Sequence, residues 1–281
     1  MQSEISDRFR TLAARPESLH GLAEGALVVA SEAKPEVDIE ASLAAISALA
    51  DRTRPLVEGA GGPDSAVVGA LNHALFELEQ FRGNREQYDD LRNSFLDDVL
   101  ARRRGLPITL SVLYVEVARR LGFDAYGVGF PGHFLAKIVG VKDESEGEII
   151  VDPFFARTIT LADCAERLRA AAGEDVAFDP GWLRAATARE IYVRMLNNLK
   201  MLYLRQGDGL SALGCFDRIL VLAPDQAFEI RDRGLLLEEL DCVLPAIEDY
   251  SQFLELLPHH ESAKAIRLRR DALTRRKPAL N

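Results

Sequence analysis

The chain has 281 residues, room for one large domain or two modest ones, and 48% of them are hydrophobic, enough for a core of ordinary size. Its 34 basic and 44 acidic residues leave a net charge of −10, which repels phosphate backbones and argues against a general nucleic-acid binder. Three widely spaced cysteines, Cys164, Cys215 and Cys242, suit reduced thiols better than a disulfide framework, and no CxxC or Cys/His pair has zinc spacing. The opening MQSEISDRFRTL lacks a signal peptide's apolar core, and no uninterrupted apolar run is long enough to cross a membrane. The expectation is a cytoplasmic protein with no membrane partner.

Taken in chain order, Glu17 to Glu32 carries Leu19, Leu22, Ala23, Ala26, Leu27 and Ala30 at helical spacing, and Pro35 ends the run. A second helical pattern covers 38–58 through Ile39, Leu43, Ile46 and Leu49, followed by a loop at Gly59-Ala60-Gly61-Gly62-Pro63. Residues 64–80 read as one amphipathic helix, with Gly83 able to supply a left-handed cap. Asn93 or Ser94 can cap the next helix, Asp97 and Asp98 suit its positive end, and Gly105 marks its stop. Pro107 fits the first turn of a helix running to about Leu121. After Gly122 the period changes. Ala125–Phe130 and Phe134–Val139 read as strands around a Pro131-Gly132-His133 turn, Glu148–Asp152 as a third strand, and Lys142–Glu148 as an acidic loop. Leu161–Ala172 reads as a helix and Phe178–Gly181 as a loop, and from about residue 187 onward the pattern is all-helical. The basic stretches Arg102-Arg103-Arg104 and Arg267 to Lys277 read as solvated helix ends.

Pro224 and Pro258 lie 34 residues apart, and Ala212/Ala246, Phe216/Tyr250, Leu220/Leu254 and Leu222/Leu256 share that offset. A period of 34 belongs to tetratricopeptide repeats. The small residue lets two antiparallel helices approach, the aromatic one turn later fills the groove between hairpins, and proline ends the second helix. Leu196, Leu199 and Tyr203, then Ile230 and Gly234, partly match the first-helix signature, and His260–Arg276 reads as a capping helix.

The run Arg119-Arg120-Leu121-Gly122 to Gly129, then His133, then Asp152-Pro153, resembles the transglutaminase-like superfamily, which shares a papain-like core. Phe81-Arg82-Gly83-Asn84, Asn93-Ser94-Phe95-Leu96, Gly105-Leu106-Pro107-Ile108-Thr109-Leu110 and Gly129-Phe130-Pro131-Gly132-His133-Phe134 resemble a narrower bacterial subfamily, called SirB-one-like, whose members also carry C-terminal tetratricopeptide repeats. The resemblance spans roughly residues 36–276. It implies an α+β fold: a helix-rich transglutaminase-like domain with a small antiparallel sheet over 1–180, then an all-α repeat array over 187–277.

The resemblance also implies that His133 and Asp152 match the histidine and aspartate of a Cys-His-Asp triad, in which a thiolate at a helix N-terminus attacks and the aspartate orients the imidazole. The cysteine is missing. Counting back from Gly122, the helix start falls near Pro107 or Ile108, with Thr109 and Ser111 the nearest hydroxyls. Cys164 follows both partners, the wrong chain order. Two readings stand. In the first, the protein is a non-catalytic interaction or regulatory protein: a pseudoenzyme domain plus repeats that recruit a protein or peptide, with Leu199, Tyr203, Phe216 and Tyr250 as partner-binding candidates. In the second, it is a cysteine-independent amide-bond hydrolase or acyl-transferase, with His133 as base, Asp152 as its orienter, and Ser111, Thr109 or water as attacker. No cofactor is implied. His133 and Asp152 give a metal only two ligands, and the adjacent His259 and His260 point about 100° apart on a helix.

Overall fold

The computed structural model describes residues 5–17, 21–61, 64–140, 147–173 and 176–276. Leu19, Gly62, Pro63, residues 142–146 of the expected acidic loop and Lys277 lie outside them. The chain divides into two compact units, Ala14–Met195 and Met1–Ala13 together with Leu196–Asn281. The short helix α1 (Asp7–Ala14) falls largely in the second.

In the first unit, helices α2 (Leu22–Ala33), α3 (Ile39–Gly59) and α5 (Leu96–Arg102) pack on α6 (Pro107–Arg120), and α4 (Asp64–Asn72) packs on α3. Asp38 caps α3 by accepting the Ala41 N–H at 2.9 Å. Pro107 sits in the first turn of α6, where a missing N–H leaves no bond unmade. Ile108, Leu110, Val112, Leu113, Tyr114, Val115, Val117 and Ala118 are all buried, so α6 is apolar on every side and runs through the core.

Four antiparallel strands follow in the order β3 (Asp124–Val128), β4 (Leu135–Val139), β5 (Glu148–Asp152) and β6 (Arg157–Ile159); β1 (Arg82–Gly83) and β2 (Arg104–Gly105) form a separate short parallel pair. The register sets Val128 opposite Leu135 and Ile150 opposite Ile159. These four side chains share one face and pack with Cys164 and Leu168 of α7 (Leu161–Ala172). Alternate residues Ala136, Ile138 and Val151 are equally buried on the opposite face, where α6 packs. The Phe178–Gly181 loop leads into a 3-10 turn, Pro180–Leu183, whose Leu183 joins the α7 face of the core.

Several local expectations give way. The single helix over 64–80 is α4 followed by a π-helical stretch, His73–Leu78, closed by Glu79 N–H donating to Ala74 O at 2.9 Å. The wide turn rotates later residues off the buried stripe, and Leu78 is 58% exposed. The left-handed residue there is Gln80 (φ 61°), not Gly83. Gly83 serves a close approach instead: a Cβ would meet the Phe154 ring at 2.4 Å. Neither Asn93 nor Ser94 caps α5, whose N-cap is Phe95; the helix ends at Arg103 (φ 59°), two residues before Gly105. Asp97 and Asp98 do lie in its first turn, and both pair with Lys34, at 2.6 and 2.7 Å. The Arg102–Arg104 run is engaged rather than solvated: Arg102 pairs with Asp90 at 2.9 Å, and Arg103 stacks on Phe81 at 4.5 Å. The strand β6 has no alternating pattern to betray it, being short and exposed at two of its positions.

In the second unit, the latter part of α8 (Ala188–Gln206) and α9 (Gly209–Leu222) form one hairpin, and α10 (Ala227–Glu239) with α11 (Val243–Leu256) the next, followed by α12 (Ala263–Arg276). Both ends of α9 recur in α11 after 34 residues. Ala212 and Ala246 are fully buried, and Gly234 lets α10 lie on the Tyr250 ring, 2.9 Å from where a Cβ would stand. Arg233 on α10 donates to Asp249 of α11 at 2.8 and 2.7 Å and to Asp217 of α9 at 2.9 Å, and both carboxylates are buried. One correction concerns the partner-binding candidates. Leu199, Tyr203, Phe216 and Tyr250 are all buried, so they build the hairpins and present no surface to a partner.

Gly83→Ala is expected to lower stability by about 1–3 kcal/mol in urea unfolding, since the new methyl overlaps a ring held by the site. Gly69→Ala, in α4 with nothing within 4 Å of its would-be Cβ, is the control and is expected to be neutral or stabilising by up to about 1 kcal/mol. Equal effects of the two changes would refute the close-packing account.

Candidate functional site

The Phe130-Pro131-Gly132-His133 turn is of type II: His133 N–H donates to Phe130 O at 3.1 Å, proline fixes the first central φ, and Gly132 takes φ 66° at the second. This turn places His133 two residues before β4, next to the end of β5 where Asp152 lies. His133 Nε2 and Asp152 Oδ1 stand 3.0 Å apart, with His133 9% and Asp152 0% exposed. The strand period sets Asp152 on the same face as Ile150, toward α7, whose Arg167 forms an ion pair with Asp152 Oδ2 at 2.7 Å. Asp152 Oδ1 also accepts the backbone N–H groups of Phe154 and Phe155, at 3.2 and 3.3 Å, an Asx turn that folds the chain back after Pro153.

Burial opposes charge on Asp152, but the His133 hydrogen bond, the His133 charge and Arg167 together hold its carboxyl below the usual range. The imidazole lies among aromatic rings: Phe154 meets it edge-on at 6.1 Å and Phe155 at 5.9 Å. Phe155 is 43% exposed, with the Arg85 and Arg167 guanidinium groups against its ring at 5.4 and 5.3 Å. Tyr88 packs edge-on against Phe154 at 5.9 Å.

The hydroxyl candidates are placed differently. Thr109 Oγ1, fully buried, donates to Asn93 O at 2.7 Å and accepts the Leu106 N–H at 3.0 Å, closing the first turn of α6. Asn93 in turn bonds Asn84 at 3.0 Å and the carbonyls of Gln87 and Tyr88. Ser111, also fully buried, donates to Phe134 O at 3.4 Å. Neither hydroxyl is bonded to His133.

The thiols are elsewhere too. Cys164 sits in the apolar layer under the sheet, where burial pushes its thiol above the ordinary range. Cys215 is buried in the repeats and pushed up to about 12, chiefly by burial. Cys242 stands at the N-cap of α11, with Sγ 3.7 Å from Leu240 O. Among the described residues, no group of three or more His, Cys, Asp or Glu could hold a metal ion, and no helix is long and apolar enough to cross a membrane. Sequence reasoning missed Arg167, Phe154 and Phe155. The adjacent phenylalanines directly after Asp152-Pro153 were a signal, whereas Arg167 is one of many arginines on helices.

A sheet ending in a buried His-Asp pair, with an apolar helix packed behind it, defines a transglutaminase-like domain. The family described as transglutaminase-like superfamily matches residues 40–197, and the chain belongs to it. A tetratricopeptide-repeat family matches residues 199–271. A UPF0162 protein of Xylella fastidiosa (strain 9a5c) is 38% identical over 204 residues, 71% of each chain. A UPF0162 protein of Vibrio cholerae is 32% identical over 254 residues, 90% of this chain and 92% of the relative. F-box only protein 21 of Mus musculus is 27% identical over 254 residues, 80% of this chain and 40% of that protein. No solved structure matches the chain significantly.

Removing the buried carboxylate leaves Arg167 and His133 unpaired, so Asp152→Ala is expected to cost about 3–5 kcal/mol in urea unfolding. The pH sign follows from the depressed carboxyl: its stabilisation is present above the unfolded value of about 3.9 and lost as pH falls through the folded one. Asp152→Asn should therefore flatten the acid limb of stability as pH falls below the unfolded carboxyl value of about 3.9. An acid limb as steep as wild type would refute the assignment.

Proposed function

We propose that this chain is a non-catalytic interaction protein of the cytoplasm: a transglutaminase-like pseudoenzyme domain joined to tetratricopeptide repeats that hold a protein or peptide partner. One observation carries the reading. At the N-terminus of α6, where the superfamily's nucleophile belongs, stand Pro107 and Ile108, and the hydroxyls that follow are committed to the carbonyls of Asn93 and Phe134. A His-Asp pair with nothing to activate retains a structural role, holding the turn before β4 to the end of β5 and to α7. Neither a nucleic acid nor a membrane is a partner in this reading, in keeping with the net charge of −10 and the hydropathy of the helices.

The partner surface has to come from exposed residues. The first helices of the two hairpins are bridged by Lys200 and Glu229 at 2.5 Å, and they carry Met201, Leu204 and Phe228, which are 49%, 38% and 47% exposed. Apolar side chains held out on paired helices suit a partner helix or extended segment.

Met201→Glu combined with Phe228→Asp is expected to leave the thermal midpoint within about 3 °C, because surface changes are small in stability. The same pair should abolish co-purification of the partner that wild type retains from a native lysate. Amide, ester and transamidation substrates are expected to turn over no faster with wild type than with His133→Ala. Turnover that His133→Ala removes would overturn the non-catalytic reading. Capture indifferent to the paired change would overturn the repeat surface.

A further inference from the structure

We propose that a second site in the first unit binds the carboxylate of a small organic acid or of a peptide C-terminus, with Arg194 as its anion fork. The site is a cavity of about 250 Å³ beside the turn that carries His133. Gly129 and Phe134 line it from the sheet, Trp182 and Arg184 from the Pro180–Leu183 turn and the residue after it, and Glu190 and Arg194 from α8. Its size falls just below the roughly 300 Å³ at which drug-sized pockets begin, which suits a ligand about as large as one aromatic amino acid.

Charge selects the ligand. Glu190 is already satisfied: it takes Arg184 through both oxygens, at 2.9 and 2.6 Å, and accepts the Thr187 N–H at 2.9 Å. Its carboxyl is held down to about 2, the Arg184 hydrogen bond being the largest cause. Arg194 has no such partner. Its Nη2 donates to Phe130 O at 3.1 Å and to His133 O at 2.5 Å, and its guanidinium lies over the Phe134 ring at 5.3 Å. Among the described residues no carboxylate pairs with it, and its Nη1 and Nε meet no acceptor.

The cavity wall therefore carries two cations and one anion, with the unanswered charge on Arg194. Burial lowers the Arg194 pKa. Gly129 keeps the approach open, since a Cβ there would stand 3.6 Å from Arg194 Nη1. A carboxylate fits the remaining donors of the fork and brings a single negative charge. A phosphate brings closer to two and meets Glu190, so it is disfavoured. Trp182 supplies a flat apolar wall for the body of the ligand.

This inference does not depend on the non-catalytic reading, and its test reads binding alone. Trp182 is the single tryptophan of the chain, so intrinsic fluorescence of the full-length protein reports on the cavity without a label. The probes are N-acetyl-phenylalanine, N-acetyl-phenylalanine amide, the peptide Gly-Gly-Phe with a free C-terminus, its C-terminal amide, and inorganic phosphate. At least one free acid is expected to shift the Trp182 emission saturably and to bind about tenfold or more tightly than its amide or phosphate. Saturation by the peptide acid alone assigns a peptide C-terminus, and saturation by both acids assigns the carboxylate of a small acid.

Arg194→Gln is expected to remove the preference for acid over amide. Because Arg194 also clamps the His133 turn, Gly129→Leu is the second variant. It fills the approach, keeps the charge, and is expected to abolish binding with an unchanged thermal midpoint. Equal binding of acid and amide, phosphate binding as tightly as the acids, no saturable signal with any acid, or full binding by Gly129→Leu would each overturn the proposal.

Discussion

The buried carboxylate of Asp152 is the constraint on which this site is built. A charge with no solvent contact is tolerated only when it is answered, and here the answer comes from three parts of the chain: His133 before β4, Arg167 on α7, and the Phe154 and Phe155 backbone just beyond β5. His133 and the two backbone N–H groups meet one oxygen and Arg167 pairs in charge with the other, so the carboxylate ties the sheet end to α7. It also fixes the tight turn that brings Phe154 and Phe155 onto the imidazole. Functional and structural accounts of this residue are not rivals. The contact that would orient a catalytic histidine is the one that closes the sheet end.

The start of α6 is built around proline and a buried threonine. A helix N-terminus facing a cleft offers unpaired N–H groups and a positive dipole end, which is why a thiolate suits that position. At the start of α6, proline removes one of those N–H groups, and the Thr109 hydroxyl caps another by accepting from Leu106 while donating to Asn93 O. Through Asn93 the same link reaches Asn84 and the carbonyls of Gln87 and Tyr88. Tyr88 lies on Phe154, so the loop before α5 packs on a ring that meets the His133 imidazole. These hydrogen bonds tie the start of α6 to that loop.

These placements explain what the sequence could and could not reveal. The α7 helix carries an apolar period, while α6 and three of the four antiparallel strands read as apolar runs bounded by glycine, proline or charged residues, and all form close to where those signals put them. His133 and Asp152 are recognisable through the resemblance of the run from Arg119 to Gly129, with the histidine and the Asp-Pro that follow it, to the superfamily's motif. The Phe81-Arg82-Gly83-Asn84 motif is part of the subfamily resemblance, yet its physical content appears only in three dimensions. Gly83 makes room for the Phe154 ring, and Asn84 anchors Asn93. Neither contact has a sequence period. Local backbone events were illegible for a related reason: the π turn at His73–Leu78 and the stop at Arg103 break the regular spacing on which helix reading depends.

The repeats show the same limit in a sharper form. A residue that recurs every 34 positions does so because the same packing problem recurs, so the period picks out the interior of each hairpin. Phe216 and Tyr250 are the clearest cases, and both are buried. Partner recognition has the opposite requirement, since neighbouring hairpins must present unlike surfaces to a ligand that is not itself repetitive. The places to look are exposed positions where the period fails. Leu204 is followed at the repeat interval by Glu238 and Phe228 by Ser262, and both apolar members stand out from the surface. The regularity that reveals this architecture therefore picks out its interior, and in the proposed reading a partner surface is sought by subtracting the repeat from the exposed residues.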